Sequence, residues 1–355
     1  MEELSERQKI ILTLVTHEHI SMASPVGSKA LVEKYHIGLS SATIRNEMSY
    51  LTDIGYLQQP HTSAGRVPTE KGYRFFVGEL VREGEIPLSS KRKISHQFFQ
   101  MRNEVEQWAR LAASILADQS KAASLITAPH PEHAHLKHIE FISTAGRQVL
   151  MVLVLSGGEL RQRIQSLSEP ISQQNLSMIA TVLTNRFQGN ESWKIKQNLT
   201  GLSELESELS HWVVDEMDRA NSLISGEIFL DGISNVLAEP EFTDSEDARR
   251  TIRVLEERTI FHELFAKTIM NGEEGAVQVL IGGDGAWEDL RQYSIVLSKY
   301  GAPGIAFGTV GVIGPMRMAY GKTISAVRFM SGLLSDLVSQ SLYDEQTLPL
   351  NEVDL

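Results

Sequence analysis

Between Leu39 and Val77 the chain reads LSSATIRNEMSYLTDIGYLQQPHTSAGRVPTEKGYRFFV, and few folds accommodate that order of signals. Ser40 or Ser41 stands where a helix N-cap is needed, directly before the first apolar-periodic residues. Ile44, Met48 and Leu51 recur at i, i+4 and i+7, which predicts one buried helical face. At about 100° per residue, Ala42, Arg45, Asn46, Ser49 and Asp53 fall on the outward face. Gly55 closes the helix, residues 56–59 read as a short strand, and PHTSAGR is a turn-rich excursion before Val67 returns. Pro68-Thr69-Glu70 then starts another helix.

Two more helices precede this stretch. Residues 5–20 carry Ile10, Ile11, Leu14 and Val15 on one side. Ser24-Pro25 predicts a helix start with proline at the first helical position. That second helix runs to about Tyr35 and is expected to bury Val26, Ala30 and Leu31, with residues 36–40 as the Gly38-containing turn. Helix, helix, short turn, helix and a loop between strands is the order of a winged helix-turn-helix, which lays its last helix into a major groove. A ligand-free three-helix bundle satisfies the helical pattern as well, but has no use for the PHTSAGR loop.

At 355 residues, two or three domains are expected, and 42% apolar content allows each a proper core. The absence of cysteine excludes disulfides and thiolate chemistry. The net charge of −12 argues against a surface coated for nucleic acid. Residues 1–85 hold nine basic and eleven acidic residues, a balance of −2. Placement matters more, because Arg45, Arg66, Lys71 and Arg74 gather on the reading helix, the wing and the helix after it. The charged N-terminus lacks the apolar region of a signal peptide. No apolar run is long enough to cross a membrane, so a cytoplasmic chain is expected.

Residues 83–93 read as a charged boundary. A long amphipathic helix is predicted over 94–120, with Phe98, Met101, Val105, Trp108, Leu111 and Ile115 at helical spacing, packed on the next domain or on a partner helix. Residues 136–143, 148–155 and 160–167 alternate as an antiparallel meander, with turns at Gly146 and Gly157-Gly158. A helix follows with Leu176, Ile179, Leu183 and Phe187 inward. Residues 191–200 read as a loop or edge strand, and helices are predicted over 202–223 and 244–270. Strands return at 276–281, 293–300 and 305–312, a helix closes over 321–342, and an acidic tail begins at Tyr343.

His130, His133, His135 and His138 invite a metal site, yet no second motif completes one, and a solvated linker is the expectation. The C-terminal glycines and Gly321-Lys322-Thr323 suggest a phosphate loop, but such a loop needs glycine where Met316 stands. Tight turns and bulges account for those glycines better. No nucleophile, zincin or paired-acid motif appears, so neither enzyme activity nor a cofactor is expected.

The stretch 39–74, together with FLDGISNVLAEPEF at 229–242, IGGDGAWEDLRQYSIVLSKYG at 281–301 and GTVGVIGPMRMAY at 308–320, resembles the heat-inducible transcription repressors of the HrcA family. The resemblance spans nearly the whole chain. It implies an α+β fold: a winged helix-turn-helix followed by a GAF-like antiparallel-sheet domain, interrupted by a helical inserted dimerisation domain. On this sequence the expected limits are 1–85 for the winged helix, 94–190 and 275–343 for the two GAF-like parts, 191–274 for the insertion and 344–355 for the tail. It further implies repression of class I heat-shock operons, those of the chaperonin and the DnaK-system chaperones. The family binds the inverted-repeat CIRCE operator as a homodimer and is kept binding-competent by the chaperonin GroEL. A metabolite-responsive winged-helix regulator, whose GAF-like domain takes a small effector, is the alternative.

For DNA contact, Arg45 is the candidate for bidentate recognition of guanine, and Asn46 for adenine or a phosphate. Ser41, Thr43 and Ser49 are candidates for phosphates, with His61 and Arg66 reaching backbone or minor groove from the wing. Against these stand a surface ion pair of Arg45 with Glu47 or Asp53, and a purely capping role for Thr43.

Overall fold

The computed structural model describes residues 4–81, 84, 86–100, 105–131, 134–156, 159–222, 227–257, 260–261, 264–265, 275–282, 288–303 and 306–347. The fold is α+β, with three antiparallel sheets and four hydrophobic clusters.

The N-terminal head holds α1 (Glu6–Met22), α2 (Ser28–Tyr35), α3 (Ser41–Asp53), a two-stranded wing of β1 (Leu57–Gln58) and β2 (Val67–Pro68), and α4 (Glu70–Phe75), which runs into a π-helical turn over Phe76–Leu80. Ser5 caps α1 in a capping box with Gln8, and Ser40, rather than Ser41, caps α3. Ile44, Met48 and Leu51 are buried as their spacing requires, against Ile11, Leu12 and Val15 of α1. Ile10 points to solvent and Leu14 packs at the margin.

Helix α2 starts later than Ser24-Pro25 predicts. Val26 exchanges both backbone hydrogen bonds with Arg66, at 2.9 and 2.8 Å. The segment ahead of α2 is therefore extended against the base of the wing, and the helix waits for Gly27 as its N-cap. Leu31 and Val26 are buried, but Ala30 is exposed.

The predicted 94–120 helix is two helices, α5 (Leu88–Phe99) and α6 (Val105–Ser120), and α5 begins inside the expected linker. Met101 and the Val105 side chain lie outside the described residues. Phe98 and Trp108 are both buried in the body core, so the apolar periodicity was real while continuity was not. Strand β3 (Ala123–Thr127) follows, with every residue buried, and then the short β4 (His130–Pro131).

The meander β5 (Leu136–Ser143), β6 (Gln148–Leu155) and β7 (Leu160–Ser166) forms a sheet of its own. Its inner face packs on α7 (Gln173–Phe187), α8 (Ser192–Gln197) and α9 (Glu204–Ser222) in one cluster that runs from Ala134 to Ala220. The expected division at residue 191 cuts through that cluster. The meander and helices α7 to α9 therefore share one core, with no break at residue 191. Residues 192–197 are helical, with Ile195 buried, where a loop or edge strand was expected.

Strand β8 (Ile228–Asp231) belongs to the body and pairs with β3 across the insertion. It is followed by α10 (Ile233–Leu237) and by α11 (Ser245–Glu256), which Asp244 caps. Helix α11 stops at Glu257, well short of 270; residues 258–259, 262–263 and 266–274 lie outside the described residues. Val254, Leu255, Phe261 and Phe265 pack on Ile295 and Leu297, which puts this stretch with the body.

Strands β9 (Val277–Ile281), β10 (Tyr293–Ala302) and β11 (Ala306–Pro315) complete the body sheet in the order β8-β3-β11-β10-β9. Numbered among themselves in chain order, the five strands on this path stand as 2-1-5-4-3, and the short β4 adds a sixth by pairing with the end of β11. Gly308 lies mid-strand where a Cβ would fall 2.5 Å from the Tyr300 ring, so it makes room for a buried aromatic. The closing helix α12 (Tyr320–Thr347) reaches past the predicted tail boundary; residues 348–355 lie outside the described residues.

The histidines of the 130–138 segment are separately engaged. His130 packs edge-on against Phe307, His135 bridges to Glu191, and His138 lies 3.4 Å from Glu140. His133 and the Gly157-Gly158 turn lie outside the described residues.

Candidate nucleic-acid interface

Helix α3 presents Arg45 and Asn46 to solvent, with Ala42 and Asp53 exposed on the same face and Ser49 half-buried. The two acids that could neutralise Arg45 behave differently. Glu47 turns to α1, where it pairs with Arg7 at 2.5 Å and accepts from Gln8 at 3.1 Å. Among the described residues Arg45 makes no ion pair with Asp53. A guanidinium without a partner on an exposed helix face keeps all five donors for a ligand.

Between α3 and the wing lies a groove of about 400 Å³ to which Arg45, Ser49 and Arg66 all contribute. Three of the seven predicted residues therefore converge on one feature. His61 is exposed in the wing loop. Ser41 and Thr43 are engaged within the head: the Ser41 hydroxyl lies 3.0 Å from that of Ser28, and the Thr43 hydroxyl 2.9 Å from the Ser40 cap. The first contact ties α2 to α3 and the second fixes the start of the reading helix.

The wing is held in place by Arg66 together with two residues that sequence patterns did not single out, Gln59 and Gly65. Gln59 donates through Nε2 to the carbonyls of Thr62 and Ala64, both at 2.9 Å, and so closes the loop. Arg66 donates through Nε to Thr52 Oγ1 at 3.0 Å. Gly65 passes so close to Val26 that a Cβ would lie 2.3 Å from its carbonyl oxygen. The only sequence hint was a glutamine directly before the turn proline.

Deeper in the head, Glu18 is buried and accepts from Lys34 at 2.6 Å and from Tyr35 at 2.5 Å. The Lys34 hydrogen bond, then that of Tyr35, hold its carboxyl below the ordinary value of 4.5. Burial and the same contact push the Tyr35 phenol up to about 12. This cluster fixes the C-terminal end of α2 on α1, immediately before the turn into α3.

The family comparison is decisive. The model of the HrcA protein C-terminal domain matches residues 106–324. The chain is 39% identical to the heat-inducible transcription repressor HrcA of Roseiflexus castenholzii over 95% of both chains. The chain belongs to the HrcA family. The HrcA of Herpetosiphon aurantiacus is 37% identical over 99% of both chains. That of Dehalococcoides mccartyi is 34% identical, covering 98% of this chain and all of its own length. Among solved structures, the crystal structure of a hypothetical protein at 2.2 Å resolution shares the fold, with a TM-score of 0.59 at 22% identity over 96% of this chain and 100% of that one. The HrcA C-terminal match runs from the start of α6 into α12, so it lies wholly outside the head, which the full-length relatives cover. The chain is therefore a heat-inducible transcription repressor of the HrcA family, and residues 4–81 form its winged helix-turn-helix head. No helix among the described residues is long and apolar enough to cross a membrane.

Proposed function

We propose that the chain represses chaperone operons by binding the inverted-repeat CIRCE operator as a homodimer, in the cytoplasm and without enzymatic activity of its own. The observation that carries the reading is Arg45 beside Asn46, exposed on α3, without an ion pair among the described residues and facing a groove shared with the wing. Two-fold symmetry of the protein then matches two-fold symmetry of the DNA, with one α3 in each of two successive major grooves. Arg45 reads a guanine edge, Asn46 an adenine edge or a phosphate, and Ser49, Arg66 and His61 hold the backbone beside them. Ser41 and Thr43 remain within reach of a phosphate at the start of α3.

For the dimer contact, the outer face of the inserted sheet is the best-supported surface. Ile142, Leu150 and Ile164 form one cross-strand row, and Val154 pairs with Leu160 on the same face. Leu160 and Ile164 are 61% and 59% exposed, an apolar display that a second copy would cover. GroEL is the proposed partner that keeps the dimer competent, an inference that rests on family membership. Footprinting on CIRCE DNA with and without GroEL tests both parts. Protection of the two half-sites is expected, stronger with chaperonin present; protection of neither sinks the reading.

A cleft of about 660 Å³ between head and body, lined in part by His17, Phe76 and Lys322, favours a second reading in which a small effector controls DNA binding. A thermal-shift screen of small metabolites separates the two.

A further inference from the structure

Reading DNA does not explain the three body motifs that mark this chain at 229–242, 281–301 and 308–320. The structure brings the second and third against the winged-helix head and ties the first to the third. Arg317, from the third motif, donates through Nε to Glu241 Oε1 at 2.5 Å and through Nη2 to Glu241 Oε2 at 3.0 Å. Its Nη2 also meets Glu239, so the first motif supplies two carboxylates to one guanidinium. The remaining nitrogen, Nη1, reaches across to the carbonyl of Ile20 in α1, at 3.3 Å. A second tie comes from the other motif: Ile281 accepts from Arg74 of α4 at 3.2 Å, and the Glu70 carboxylate that pairs with Arg74 lies against Gly282.

These bonds surround a joint that is only partly packed. Tyr73 and Phe76 bury their rings in the body core, with Tyr73 6.1 Å from Tyr320. Beside them the 660 Å³ cleft stays open between α1, the π-helical turn and the first turn of α12. Apolar contact is non-directional and holds the head on the body without fixing its rotation. A forked guanidinium is directional, and the Arg317 side chain is only 11% exposed, so its geometry is set by its partners. If adhesion were the whole requirement, apolar residues would serve as well as a half-buried ion cluster.

We propose that Arg317, oriented by Glu239 and Glu241, is a positioning residue that fixes the head on the body and thereby sets the spacing of the two reading helices in the dimer. The proposal rests on the dimeric operator reading above. A rigid mount places the second head at high effective concentration over a correctly spaced half-site and away from a misplaced one. A loose mount forfeits part of the first and relaxes the second.

The test compares full-length protein and its R317M variant on three duplexes: CIRCE, CIRCE with about five base pairs inserted between the half-sites to turn them by half a helical repeat, and a single half-site. The unaltered protein should prefer CIRCE over the inserted form by about 30-fold or more, and R317M should keep only about three-fold, with half-site affinity within about two-fold of the parent. The doubly neutralised E239Q/E241Q variant, which leaves the head untouched, should lose spacing preference in the same way. It decides the matter if R317M does not unfold cooperatively. A folded variant with parental spacing preference overturns the proposal, as does an equal loss on all three duplexes, which would mean a damaged head. If the unaltered protein itself binds CIRCE no better than one half-site, the operator reading falls, and the positioning role falls with it.

Discussion

Arg66 Nε donates to Thr52 Oγ1 at 3.0 Å, joining the wing to the last turns of the reading helix. Wing and helix are thereby one rigid reader, and Arg66 combines two jobs, a strut through Nε and a positive charge at the groove. Substitutions separate them. Thr52→Val removes the strut and keeps the charge, so operator affinity should fall several-fold with the salt slope unchanged. Arg66→Ala should weaken all sequences alike and lower the salt slope by about 1. Binding titrations at several salt concentrations check both. An unchanged slope in the alanine variant would leave Arg66 a strut only.

Arg45 is free of Glu47, which Arg7 holds on the other side of the helix. Arg45→Ala should therefore cost on the order of 1–3 kcal/mol on the operator and relax preference at one base pair. Selection from a randomised half-site measures this. Parental preference at every position would reassign Arg45 to the solvated surface.

Gly65→Ala should displace the wing, because its Cβ has no space beside the Val26 carbonyl. Backbone on both sides cannot yield cheaply, so the wing lifts from the Val26 segment while the three-helix core, built from Ile11, Leu31, Ile44 and Leu51, persists. Operator binding should drop while helical content, followed by circular dichroism, stays near the parent's. Parental affinity would show that the wing contributes little.

Glu18 links stability of the head to pH. Its carboxyl lies below 4.5 in the folded state, so the Lys34 and Tyr35 contacts stabilise fully above that value and fade as pH falls through the lower, folded-state value. Glu18→Gln should destabilise the head at neutral pH, and the gap between variant and parent should narrow in acid below 4.5. Urea unfolding across that range checks the sign. A gap that widens in acid would exclude this origin.

Ile164→Asp places a charge in the exposed row formed with Leu150 and Ile142. Sedimentation should show a shift to monomer, with single half-site binding kept and CIRCE affinity reduced. A variant that stays dimeric would move the interface elsewhere.

The head was legible in sequence because its signals are local. A serine cap, apolar residues at i, i+4 and i+7, and a turn-rich loop each act within one or two turns of chain. Ile44, Met48 and Leu51 are buried and Arg45 and Asn46 exposed as that periodicity demands. The start of α2 was misplaced for a non-local reason: a two-residue bridge to Arg66, forty positions away, competes with the local Ser-Pro signal.

The body shows where local signals stop. Alternation in residues 136–166 specified three strands and which side of each is buried, but nothing in alternation says which sheet a strand joins. That choice belongs to the partners: β5, β6 and β7 close on α7 to α9, while β3 pairs with β8 about a hundred residues later. The boundary at 191 therefore could not be placed from pattern alone. In the same way, the sequence supplied Arg317, Glu239 and Glu241 only as members of separate motifs. Folding decided that one guanidinium should hold both carboxylates and a carbonyl of the reading head, because a bond between residues nearly three hundred positions apart exists only once the chain has closed on itself.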